Sequence, residues 1–296
     1  MKAGARARAA LEPLPPLLYE GLVHDALRED LGLGGDLTSE ATIPLDMQTH
    51  AALVARESGV LAGLDIALAV FRALDPTVAV EMSCADGDAL AAGQTIARLT
   101  GDARAALGAV RTALNLRAHL CGIASTTARY VAAVAGSRAM IVETRKTLPG
   151  LRALQKYAVR AGGGRNHRLR LDDAILIKDN HVALAGGIGP ALERARARAG
   201  FLVKVELEVD SLAQLDEALA QRGLPDAILL DNFALDGLQQ AVARTAGRVV
   251  LEASGGITLD TVAAVARTGV DIISVGALTH SVRALDIALE AAAPGL

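Results

Sequence analysis

A chain of 296 residues can hold one large or two moderate domains, each with a core of its own. A formal charge of −3 and an aromatic share of 2% argue against a polyanionic polymer as partner and against stacking on nucleic-acid bases. Two cysteines, Cys84 and Cys121, are too few for a disulfide framework or a thiolate metal site, and no apolar stretch has the length of a membrane span. Glu12, Pro13, Pro15 and Pro16 interrupt the apolar part of the N-terminal segment. The expectation is therefore a cytoplasmic protein with residues 1–15 as a disordered extension.

From Leu18 the apolar positions Leu22, Val23, Ala26 and Leu27 recur at helical spacing, and Glu29 to Thr42 reads as a polar, glycine-rich loop. Alternating runs beginning at His50, Val78 and Gln94 predict strands, with a helix over Leu64 to Asp75 between the first two. The segment Cys84 to Leu99 has the texture of a small β-structure that presents a carrier loop. It contains no lysine, which speaks against lipoyl or biotin attachment. A long helix over Ala103 to about Val134 carries Arg111. Together these elements form an N-terminal α+β domain over 16–135, with 281–296 expected as a helix returning to it.

From Ala139 strands and helices alternate, which implies parallel strands with helical crossovers and an α/β barrel over 136–280. Strands are expected at 140–142, 174–177, 203–209, 227–230, 249–251 and 272–275. Glu208, Asp231, Ser254 and Gly276 follow one another at separations of 23, 23 and 22 residues, one βα unit each. That period places them on one ring at the carboxyl end of the barrel, where barrel enzymes keep their chemistry. Arg145, Lys146 and Lys178 also follow strands and join this rim. Ser254-Gly255-Gly256 and Val275-Gly276-Ala277 stand where barrels build phosphate sites from backbone N–H groups, although Gly255 and Gly256 also suit a plain turn. Glu208 and Asp231 suit ribose hydroxyls or a divalent metal that carries pyrophosphate; a structural pair with Lys204 or the nearby cations is the alternative.

Between Glu143 and His181 basic residues concentrate: Arg145, Lys146, Arg152, Lys156, Arg160, Arg165, His167, Arg168, Arg170 and Lys178. Arg152 and Lys156 fit a solvated helix face equally well. Helical spacing does not explain Arg145-Lys146 ahead of Pro149-Gly150, nor Gly162-Gly163-Gly164 ahead of Asn166-His167-Arg168. Forked guanidiniums beside open backbone suit a small ligand with several carboxylates or phosphates.

The motifs Thr144-Arg145-Lys146-Thr147 with Pro149-Gly150-Leu151-Arg152, Lys156 to Arg168, and Leu176 to His181 resemble the quinolinate phosphoribosyltransferase family, from about Glu29 onward. The resemblance implies a type II phosphoribosyltransferase fold, an open parallel α/β barrel behind an N-terminal α+β domain. It also implies phosphoribosyl transfer from phosphoribosyl pyrophosphate to quinolinate with decarboxylation, Mg²⁺ as cofactor, and a homodimer or higher oligomer with sites shared between subunits. On that basis Arg145, Lys146, His167, Arg168 and Lys178, with Arg111 from a second subunit, hold the carboxylates and the pyrophosphate. Catalysis falls to Lys146, Lys178, Glu208 and Asp231, and Ser254, Gly255, Gly256 and Gly276 take phosphate. The chain departs from the family's usual pattern at Val110, Glu143, Leu148 and Arg170. A molybdenum-transport-associated paralogue with another substrate and a non-catalytic barrel binding a phosphorylated ligand remain as alternatives.

Overall fold

The computed structural model describes residues 11–292, so the expectation for 1–15 lies largely outside the described residues. The chain forms two compact units. One contains the residues up to Ser125, Ala153–Gly162 and the residues from Arg283; the other contains Thr126–Arg152 and Gly163–Val282.

In the first unit the elements run α1 (Glu20–Leu31), α2 (Leu37–Thr42), β1 (Gln48–Ala55), β2 (Gly59–Val60), α3 (Leu64–Leu74), β3 (Ala79–Met82), β4 (Ala89–Leu90) and β5 (Thr95–Asp102). Then α4 (Ala103–Ala133) begins in this unit and ends in the other. The expected loop over 29–42 is in fact mostly helical. Helix α1 continues to Leu31 and ends at Gly32, whose φ of 54° suits glycine. Asp36 then accepts the N–H groups of Thr38 and Ser39, both at 3.1 Å, and so caps α2.

Helix α3 buries Leu64, Ile66, Ala67, Leu68, Val70 and Phe71, each large side chain contributing about 1.5–3 kcal/mol on burial. Its start is satisfied from a distance, because Asp86 accepts the N–H groups of Gly63 and Leu64 at 2.8 and 3.1 Å. After β6 (Met140–Val142) the chain contributes α5 (Arg152–Ala161), most of which belongs to the first unit. There Tyr157 donates to Asp86 at 2.6 Å and Gln155 meets His119 at 2.7 Å. Lys156 is 1% exposed, so the solvated-face reading fails for it.

The second unit continues with β7 (Ile175–Ile177), α6 (Asp179–Ala185), α7 (Ile188–Arg198), β8 (Val205–Val209), α8 (Leu212–Leu219), β9 (Ala227–Asp231), α9 (Leu235–Thr245), β10 (Val250–Ser254), α10 (Leu259–Arg267), β11 (Ile272–Ser274) and α11 (Ala277–His280). Its strands pair in the order β6-β11-β10-β9-β8-β7, all parallel. That is the circular order of a barrel with one seam left unpaired, between β6 and β7. Arg165 covers part of the seam on the β6 side, its N–H donating to the Ile141 carbonyl at 2.9 Å. Strand parity divides the side chains: Val205, Leu207 and Val209 are buried, while Glu206 and Glu208 share the opposite face.

The expected C-terminal helix over 281–296 is instead a strand, β12 (Ile287–Ala292), in the first unit. It pairs antiparallel with β1 from Ala55↔Ile287 to His50↔Ala292, completing the sheet order β12-β1-β5-β3. Its Ala, Leu and Glu residues favour a helix locally. The free edge of β1 outweighs that preference by pairing the backbone groups and burying Ile287 and Ala288.

Candidate active site

The carboxyl ends of the barrel strands converge on a cavity of about 320 Å³ in the second unit. Arg145, Lys146, His167, Arg168, Lys178, Glu208, Asp231 and Ser254 all line it, with Leu176 and Leu229 on its apolar part. A larger groove of about 670 Å³ lies on the first unit's sheet. There Arg98 stands directly across from Glu81, so its charges compensate one another. The barrel cavity is the one on which several cations converge.

Each cation is held by local backbone geometry. Lys146 donates its N–H to Thr144 Oγ1 at 3.1 Å, and Thr279 donates to the Lys146 carbonyl at 2.8 Å. The glycine-rich segment ends on Glu143, fully buried, which accepts Asn166 Nδ2 at 3.0 Å and the His167 N–H at 3.2 Å. Arg168 Nη1 donates to the Ala174 carbonyl at 3.0 Å. The Lys178 N–H donates to His181 Nδ1 at 3.0 Å at the start of α6, while its ammonium pairs with Glu208.

Burial, and then the neighbouring Arg145, push the Arg168 pKa below the ordinary guanidinium range. Arg145 Nε is itself buried and has no hydrogen-bond partner among the described residues. Two guanidiniums held together around such an atom make a seat for an anion with more than one oxygen.

His167 sits between two carboxylates, with Nε2 3.0 Å from Glu206 and 3.4 Å from Glu252. Burial alone would lower its pKa, but the two carboxylates override burial and raise it to about 10. The Arg168 N–H lies 2.8 Å from Nδ1, a contact that would suit a neutral ring. The two carboxylates favour the charged ring, and the Nδ1 contact opposes it. Glu252 is 1% exposed, and burial pushes its carboxyl upward.

Gly255 and Gly256, with φ of 95° and 59°, border a neighbouring pocket of about 320 Å³ between α9 and α10, which Ser254 also lines. Gly276 has φ −64° and needs no glycine for its backbone. A Cβ there would lie 3.1 Å from His280 Nε2 and 3.4 Å from Lys146 Cδ. Arg111 is exposed on α4 in the first unit and does not line this cavity. Arg170 pairs with Asp172 at 3.0 Å and is likewise absent from the cavity wall.

Sequence reasoning missed Glu206, Glu252 and Asn232, together with the apolar wall of Leu176 and Leu229. Alternation in Val205-Glu206-Leu207-Glu208-Val209 was the available signal, since it puts Glu206 and Glu208 on one face.

Residues 36–121 match the quinolinate phosphoribosyl transferase N-terminal domain, and residues 123–290 match its C-terminal domain. The chain belongs to the quinolinate phosphoribosyltransferase family. A nicotinate-nucleotide pyrophosphorylase [carboxylating] of Mycobacterium leprae is 51% identical over 276 residues, spanning 90% of this chain and 95% of that protein. A probable nicotinate-nucleotide pyrophosphorylase [carboxylating] of Bacillus subtilis is 44% identical, with 93% of each covered. Among solved structures, NadC from Streptococcus pyogenes superposes with a TM-score of 0.91 at 41% identity, covering 95% of this chain and 99% of that one.

Within this phosphoribosyltransferase frame, Gly276 yields a specific expectation. Gly276→Val should leave the fold intact, because φ −64° is ordinary, yet press on the His280 ring and set its γ-methyls against the Lys146 side chain. A raised KM for phosphoribosyl pyrophosphate with an unshifted melting curve is the expected result. An unchanged KM would remove Gly276 from the phosphate side of the site.

Proposed function

We propose that this chain transfers the phosphoribosyl group of phosphoribosyl pyrophosphate to the ring nitrogen of quinolinate. Loss of the 2-carboxylate then gives nicotinate mononucleotide, CO₂ and pyrophosphate, a step of NAD biosynthesis. The supporting observation is the pair Arg145 and Arg168 around a buried Nε that has no acceptor, with Lys146, His167 and Lys178 on the same wall. Two adjacent guanidiniums suit a ligand with several anionic oxygens, which a pyridine dicarboxylate and a pyrophosphate both offer.

In this reading the quinolinate nitrogen forms a bond to the ribose anomeric carbon as the bond from that carbon to pyrophosphate breaks. Loss of CO₂ leaves its electron pair on the ring carbon beside the cationic nitrogen. A proton, delivered from water or a lysine, replaces the carboxylate. No covalent enzyme nucleophile is required, so positioning and electrostatic stabilisation supply the rate. Glu208 and Asp231 offer hard carboxylate oxygens on adjacent strands, a donor set that suits Mg²⁺ arriving with the pyrophosphate. Bound there, Mg²⁺ would offset charge on the departing pyrophosphate.

Incubation of the pure protein with quinolinate, phosphoribosyl pyrophosphate and Mg²⁺ should yield nicotinate mononucleotide. Quinolinate should also bind far better than nicotinate, each charge-assisted contact left unmade costing about 1.5–3 kcal/mol. Equal affinities by calorimetry would sink the assignment.

The proposal extends to a homodimer whose sites are shared, with Arg111 donated by the second subunit. Its motivation is that Arg111 is exposed and absent from the cavity wall. Mixing the dead variants Arg111→Ala and Lys146→Ala should then restore activity after subunit exchange. With equal amounts and random pairing, about a quarter of all sites are intact. No recovery despite confirmed exchange would place Arg111 in its own subunit's site or outside catalysis. A cytoplasmic location fits the two free thiols, Cys84 and Cys121. Among the described residues no helix is long and apolar enough to cross a membrane.

A further inference from the structure

We infer that Asn232 is a positioning residue that orients the Asp231 carboxylate, and that Gly255 is glycine in order to leave room for it. The inference rests on the phosphoribosyl-transfer reading, in which Asp231 meets the ribose or its metal-bound pyrophosphate. Asn232 has φ 56°, one of only two non-glycine residues with positive φ among those described. A left-handed backbone costs a non-glycine residue free energy and persists where the surroundings impose it. Here they do so from three sides.

The Asn232 N–H donates to the Ser254 carbonyl at 2.9 Å, tying the turn after β9 to the end of β10. Its side-chain Nδ2 donates to Asp231 Oδ2 at 2.8 Å. A carboxylate only accepts, so the amide must present its nitrogen to Asp231 and its oxygen to the other side. On that other side lies Gly255: a Cβ there would stand 2.1 Å from Asn232 Oδ1 and 3.0 Å from its backbone nitrogen. Gly255 itself has φ 95°, so both its backbone conformation and the approach of Asn232 require glycine. The turn therefore locks one carboxylate oxygen of Asp231 and leaves the other to the cavity that Asp231 lines.

Asn232→Gly tests this cleanly, because glycine adopts φ 56° without strain while removing the amide. The melting temperature should hold, and kcat/KM for phosphoribosyl pyrophosphate should fall by about tenfold, the effect of one hydrogen bond to a charged acceptor. KM for quinolinate should stay unchanged. Asn232→Asp keeps the left-handed preference but sets a second carboxylate against Asp231, and its loss should be larger. In an Asp231→Ala background, Asn232→Gly should have no further effect, since Asn232 acts only through Asp231.

Equal losses in both backgrounds would show that Asn232 touches substrate itself and overturn the inference. So would wild-type kinetics in a folded Asn232→Gly variant. An inactive wild-type protein would instead refute the phosphoribosyl-transfer reading.

Discussion

Arg145→Ala is expected to lower kcat/KM for quinolinate by roughly a hundredfold to ten-thousandfold with little change in stability. Two charge-assisted hydrogen bonds are at stake, each worth about 1.5–3 kcal/mol. The fold should tolerate the change because the guanidinium is only half-buried and its Nε has no protein partner to abandon. Removing it also relieves Arg168 of a like-charged neighbour. Arg145→Lys should recover only part of the loss, since one ammonium cannot reproduce the planar fork. The split between the two substrates is diagnostic: KM for quinolinate should rise far more than KM for phosphoribosyl pyrophosphate. A change below about fivefold in kcat/KM would mean that the two guanidiniums do not seat a carboxylate.

Arg117→Met is expected to stabilise the protein. Arg117 lies on α4 with no solvent exposure, and its Nε, Nη1 and Nη2 have no hydrogen-bond partner among the described residues. Burial pushes its pKa down. The Cys121 sulfur one turn along and the Asp86 carboxylate favour the charge, but sulfur is a weak acceptor and Asp86 already receives three donors. Methionine keeps the aliphatic stem and removes a charge whose desolvation is poorly repaid. Replacing a whole buried ionic group by apolar residues gains up to about 1–4 kcal/mol, and a single poorly paired guanidinium should fall at the low end of that range. Denaturant unfolding should show a higher midpoint at unchanged slope, and activity should be unaffected. A midpoint lowered by more than about 1 kcal/mol in equivalent stability would show that buried water satisfies the guanidinium.

The rim of the barrel was legible because its residues repeat with the βα unit. A side chain at the end of each strand needs only the period, and Glu208, Asp231 and Ser254 line one cavity as that period implies. What lies below the rim was not legible by counting. Glu206 and Glu252 meet His167 from strands remote in sequence, and only the parity of each strand shows that they face inward. Asn232 was hidden for a different reason, since nothing in Asp231-Asn232-Phe233 announces a left-handed backbone. Gly255, on the next strand's loop, is its complement. The end of the chain misled because local preference for helix is strong there, and the partner that overrules it, β1, lies at the other end of the sequence.

That pairing of β1 with β12 has a consequence in time. A ribosome releases residues 48–55 long before 287–292, with every strand of the barrel in between. At a synthesis rate of about 5–20 residues per second, the β1 edge waits roughly 10–50 s for its neighbour. The barrel strands can pair during that interval, whereas the earliest-made sheet must close last. Until it does, β1 presents unpaired N–H and C=O groups that a second nascent chain could use as a template. Yield from crowded polysomes should therefore depend on how quickly the last strand arrives.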